Sequence, residues 1–99
     1  MWGLTDKMAQ VVITLKIMPD SPEADLSQIE NEAVTKIAEF AGKTEIRKEI
    51  EPIAFGLKAV KITFVMDESK GSTEKLEENI RDINGVSSAE IVDVRRAVG

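Results

Sequence analysis

Apolar and polar positions along the chain alternate between stretches of period two and stretches of period 3.6. Ala9 to Met18 sets Val11, Ile13, Leu15 and Ile17 on one face and Thr14 and Lys16 on the other, which predicts a strand. Pro19 ends it, and Asp20, Ser21 and Pro22 form a loop that cannot continue a ladder. From Asp25 to Ala41 the spacing becomes helical, with Leu26, Ile29, Ala33, Ile37 and Phe40 on one stripe. Asp25 suits the N-cap, Gln28 completes a capping-box pattern, and Gly42 is a natural stop. Thr44 to Ile53 returns to period two, with Ile46 and Ile50 on one parity and Glu45, Arg47, Glu49 and Glu51 on the other. That charged outer face, with Pro52, predicts an edge strand.

A short turn at Ala54, Phe55 and Gly56 leads to a third strand, Leu57 to Asp67, with Val60, Ile62, Phe64 and Met66 on its apolar face. After a loop at residues 68–71, Ser72 to Asn84 predicts a second helix, with Ser72 as N-cap, Leu76, Ile80 and Ile83 inward, and Gly85 closing it. Val86 to Val94 is a last strand whose parity slips: Ala89 and Ile91 agree, and Val92 and Val94 do not. A bulge or an early strand end explains the slip.

The element order is β-α-β-β-α-β. Helices with one apolar stripe each cover one face of a sheet. With right-handed crossovers this gives an α+β, ferredoxin-like sandwich whose four antiparallel strands lie in the order 4-1-3-2. Residues 1–8 show no useful period and are expected to be a frayed extension, with Met8 the more natural beginning. Docking of Trp2 on the body is the alternative. Residues 9–99 form a single domain.

Composition narrows the function. The chain has 99 residues, enough for one domain. It contains 0 Cys, 0 His and 0 Tyr (none of the latter in the sequence at all), which removes disulfides, Cys or His metal sites, and Ser-His or Cys-His catalysis. These absences point away from an enzyme, a cofactor and a metal. With 13 Lys+Arg against 18 Asp+Glu, the formal charge is −5, which disfavours nucleic acid and anionic membrane as partners. No apolar run approaches the ~20 residues of a membrane span, and no signal peptide opens the chain. The expected location is the cytoplasm.

Candidate motifs mostly dissolve on inspection. Gly42-Lys43-Thr44 resembles the end of a phosphate loop, but Ile37 stands where that motif needs Gly, and the triplet closes a helix where the motif opens one. Asp67, Glu68 and Glu74 match no calcium loop, and Glu74, Glu77 and Glu78 read as a solvated helix face. Aromatics are 4% of the chain, too few for the stacking strands of an RNA-recognition domain. Two features remain. Phe55 sits beside Gly56 at a hairpin tip, either folded back on the body or held out as an anchor for a partner's pocket. Arg95 and Arg96 follow the last strand, either in a solvated tail or as a basic probe at the strand's end for phosphate or carboxylate.

These residues together resemble a known family. Pro52-Ile53-Ala54-Phe55-Gly56-Leu57-Lys58-Ala59-Val60 is similar to the hairpin signature of translation elongation factor 1-beta. Val65-Met66-Asp67-Glu68 before a Gly-Ser/Thr helix start resembles the same family's junction. Met18-Pro19-Asp20-Ser21-Pro22 and the ending Asp93-Val94-Arg95-Arg96 resemble its archaeal branch, and the match runs from Met8 onward.

The resemblance implies a guanine-nucleotide exchange factor without covalent chemistry. Its partner would be elongation factor 1-alpha, and it would act alone as a monomer. Phe55 matches the aromatic that inserts into the GTPase, and Gly56 lets the tip approach closely. Arg96, with Arg95 beside it, falls where eukaryotic members carry a terminal Lys that disturbs the magnesium and phosphate site. Here residues 97–99 extend past it, and the bulkier guanidinium suits a bridge to acidic or phosphate groups at the rim. The competing reading is a ligand sensor or adaptor that dimerises through a sheet edge.

Overall fold

The computed structural model describes residues 10–42, 45–67 and 73–96. The extension at 1–8, the loop at 68–71, the Ser72 cap and Lys43-Thr44 lie outside these residues. Elements follow in the order β1 (Gln10–Pro19), α1 (Leu26–Ala41), β2 (Ile46–Pro52), β3 (Lys58–Asp67), α2 (Glu74–Arg81) and β4 (Val86–Arg96). The strands form one sheet in the order β2-β3-β1-β4, with antiparallel pairing throughout. The anticipated α+β arrangement is therefore present, with both edges where alternation and charge put them. No helix among the described residues is long and apolar enough to cross a membrane.

The core lies between the sheet and the two helices. Ile13, Leu15 and Ile17 of β1 meet Val60, Ile62 and Phe64 of β3 across the ladder, all buried. Ile29, Ala33 and Ile37 of α1 and Leu76 and Ile80 of α2 close over them. α1 lies against β3 and α2 against β4. β2 falls outside that cover, which leaves Ile50 41% exposed although it points to the helix side opposite Val60. The other sheet face is polar: Glu51 lies between Lys16 at 3.6 Å and Lys61 at 3.9 Å, and the Thr14 and Thr63 hydroxyls sit 3.3 Å apart.

The helix ends show how far local chemistry decides. Asp25 caps α1 by accepting the Gln28 N–H at 3.1 Å. The reciprocal half of the capping box is absent, because the Gln28 amide donates to Glu32 at 3.2 Å. Gly42 ends the helix at φ 83, its N–H donating to the Ala38 carbonyl at 2.9 Å. Asp25→Ala should cost about 1 kcal/mol of stability, read as a lower urea midpoint at constant slope.

α2 is shorter than its apolar spacing implied. It stops at Arg81, and the chain turns through Asp82, Ile83, Asn84 and Gly85. Ile83 still reaches the core at 4% exposure, because its N–H donates to the Ile80 carbonyl and keeps the stripe aligned past the helix end. Thr73, the residue before α2, makes no side-chain capping bond.

Of the two explanations for the parity slip, a bulge and an early strand end, β4 shows the bulge. Leu15 pairs with Ile91 and Thr14 with Asp93, so Val92 is the extra residue. Beyond it the strand continues to Arg96, further than the apolar pattern reaches.

Candidate functional site: a hairpin tip and a basic strand end

The turn between β2 and β3 is closed by its own backbone. Ile53 N–H donates to the Leu57 carbonyl at 2.7 Å, and Leu57 N–H to the Ala54 carbonyl at 3.2 Å. Between them Phe55 takes φ 60, ψ 31, and Gly56 takes φ 78. A left-handed backbone is ordinary for Gly but strains a residue with a side chain by about 1–2 kcal/mol. Phe55 is the one described residue other than Gly at positive φ. The result of that strain is a benzyl group 93% exposed to solvent. The fold-back alternative is thus not what this backbone does.

Gly56 owes its identity to φ and not to space. A Cβ there would meet Pro22 at 3.8 Å, an ordinary contact. That contact also locates the tip, beside the loop that follows β1.

Arg95 and Arg96 stand at the other end of the sheet. They pair with Val12 and Val11 at the start of β1, whereas the hairpin lies beyond Pro19 at its finish. Eight residue steps of strand, roughly 26 Å, separate Val11 from Pro19. The structure therefore brings Phe55 and Gly56 together, and Arg95 and Arg96 together, but keeps the two pairs apart. Both arginines belong to β4 and not to a tail. They leave it on opposite faces, Arg95 with Val12 on the open side and Arg96 with Val11 on the helix side. Arg95 Nε lies 3.0 Å from Asp93 on the same face.

Two features of the basic end were not read as part of a site in the sequence. Val92 and Val94 are 46% and 58% exposed, so apolar surface accompanies the arginines. A shallow cavity of about 360 Å³ opens near them, lined by Val12, Arg47, Thr63 and Val65 among others. The available signal was a pair of valines that broke parity beside two arginines. The other missed residue is Glu77. Its carboxylate is not merely solvated: Oε2 accepts the backbone N–H of Ile91 at 3.1 Å, from α2 to β4.

An exposed aromatic tip and a basic strand end on one rigid sheet suit protein contact better than chemistry on a small molecule. Comparison with known families gives the kinship. The EF-1 guanine nucleotide exchange domain model matches residues 12–97. The chain belongs to the EF-1 guanine nucleotide exchange family. Its function is guanine-nucleotide exchange in polypeptide elongation. Two proteins named elongation factor 1-beta illustrate the kinship. That of Methanothermobacter thermautotrophicus is 44% identical over 90% of this chain and 98% of its own length. That of Metallosphaera sedula is 46% identical over 90% of this chain and 97% of its own. The chain's fold is also similar to that of the de novo designed protein Foldit4, at TM-score 0.60 and 17% identity, covering 91% of this chain and 98% of that one. That likeness concerns the fold alone.

Proposed function

We propose that the chain acts on elongation factor 1-alpha and grips it with both ends of the sheet. Phe55 enters an apolar pocket of the GTPase, and Gly56 allows the backbone to follow. Arg95 and Arg96 reach acidic or phosphate groups at the rim of the nucleotide site. The observation that carries this reading is Phe55 itself, a 93% exposed aromatic held on a left-handed backbone. A fold gains nothing from that arrangement in water, whereas a partner's pocket does.

Exchange then follows from linkage. The factor binds the nucleotide-free GTPase better than the GDP-bound form, and by reciprocity it lowers the affinity for GDP by the same factor. Release of GDP lets GTP rebind, and GTP in turn displaces the factor. No covalent bond is made or broken, and neither cofactor nor metal is required from this chain. A monomer in the cytoplasm suffices. The β2 edge supports that, since Arg47, Lys48 and Glu49 are exposed along it and disfavour pairing with another strand.

The basic end gives a direct test. Arg96→Ala should lower kcat/KM for GDP release about tenfold, the loss of one charge-assisted contact. Arg95→Ala should lower it in the same direction. Release rates unchanged in both variants would remove this end of the sheet from the interface.

A further inference from the structure

We infer that the outer edge of β4 is a latent pairing surface for a second copy of this chain, and that the Glu77 carboxylate keeps it closed. Both meet at one atom, the backbone nitrogen of Ile91.

Among the described residues β4 pairs with β1 alone, so one side of its backbone faces outward. A strand N–H points to one neighbour or the other, and in an antiparallel pair the direction alternates from residue to residue. The Ile91 N–H donates to Glu77 Oε2 of α2 at 3.1 Å and not to β1, so Ile91 turns its donor to the outer side. Val94 does the same. Ile91 faces Leu15 and Val94 faces Ile13, two residues apart on β1, which runs in unbroken register with β3. Val92, the extra residue, sets Ile91 and Val94 three apart in sequence but at equivalent places of the ladder.

That spacing is self-complementary. Two β4 edges can meet antiparallel about a two-fold axis between Val92 and Asp93. Ile91 then exchanges backbone hydrogen bonds with Val94 of the second copy, and both side chains lie on the helix side of the sheet. On the open side, where Glu90 stands with Lys16 and Arg95 with Val12, Glu90 falls opposite Arg95 of the second copy, twice per dimer. Arg95 gives its Nε to Asp93, and its terminal nitrogens suit a second carboxylate. The side chains of this edge also invite pairing. β2 is guarded by exposed Arg47, Lys48 and Glu49 and by Pro52, whereas β4 presents exposed Val92 and Val94.

Glu77 stands in the way. Its carboxylate oxygen occupies the place of an added strand's carbonyl, since both must accept the same N–H. A second copy must displace it at both ends of the pair. One hydrogen bond to a charged group shifts such a balance about tenfold or more, so two hold the edge closed about a hundredfold. Pairing would set Arg95 against the second copy, so on the exchange reading above a closed edge keeps that side chain available to the GTPase.

Sedimentation velocity over a concentration series tests this in the intact chain. The parent should run as a monomer, and Glu77→Ala should dimerise with a dissociation constant about a hundredfold lower. Glu77→Gln retains an oxygen acceptor and should stay near the parent. Arg95→Glu in the Glu77→Ala background should break the dimer by setting like charges opposite, and adding Glu90→Arg should restore it. Glu77→Met keeps the side chain's length without a carboxylate and replaces Glu77→Ala if that variant fails to fold. A parent already dimeric, a monomeric Glu77→Ala, a dimer indifferent to the charge reversal, or failure of both Glu77→Ala and Glu77→Met to fold would overturn the inference. Association is read without nucleotide release, so its outcome and that of the exchange reading are separate.

Discussion

Phe55→Ala should abolish most of the exchange activity while leaving the fold intact. The side chain is 93% exposed, so its removal uncovers no cavity and breaks no packing. Stability should therefore stay within about 0.5 kcal/mol of the parent. An aromatic anchor seated in a partner's pocket is worth about 2 kcal/mol or more, so GDP release should slow about 30-fold or beyond. Phe55→Gly separates side chain from backbone. It relieves the left-handed strain of about 1 kcal/mol, so the hairpin should gain stability while activity falls as far. Urea melts and release kinetics on the same samples read both effects. Loss of folding in Phe55→Ala would mean that the tip supports the body. Unchanged release would mean that the tip touches no partner.

Phe64→Ala should do the reverse. Phe64 is 0% exposed at the centre of the sheet, between Ile13 of β1 and Ile46 of β2. Truncating it leaves a cavity in the core and should cost about 3–5 kcal/mol. A domain of this size has about 5–15 kcal/mol in all, so the urea midpoint should fall steeply and partial unfolding at working temperature is expected. A loss below about 1 kcal/mol would contradict the placement of Phe64 in the core. Two residues of one type, nine positions apart, thus divide structure from function.

Much of this division was legible in the sequence. Strict alternation in β1 and β3 marked the central strands, because both bury one face under helices. Asp25 and Gly42 marked the ends of α1, because capping is local chemistry. The broken parity at Val92 marked an irregularity there, a bulge or an early strand end. Phe55 stood out because an aromatic beside Gly in a turn has no local structural use.

What escaped depends on distance or on competition. The bond from Glu77 to Ile91 joins residues fourteen apart through tertiary packing, and no period reveals it. Gln28 had two partners within reach, Asp25 and Glu32, and its amide chose the latter. The end of α2 was hidden because Ile83 continues the apolar stripe from a turn. The strand character of Arg95 and Arg96 comes from their pairing with β1 and not from their own side chains. Their separation from Phe55 by the length of the sheet follows from strand direction, which no local signal carries.

The central claim is catalysed nucleotide release, and one measurement meets it directly. A fluorescent GDP analogue is loaded on elongation factor 1-alpha and chased with excess unlabelled nucleotide in a stopped-flow instrument. The chain is added at substoichiometric amounts. Exchange by linkage predicts that release accelerates in proportion to the added chain, with several turnovers per molecule. Release at the spontaneous rate, with a folded chain and a GTPase competent to bind nucleotide, would contradict it.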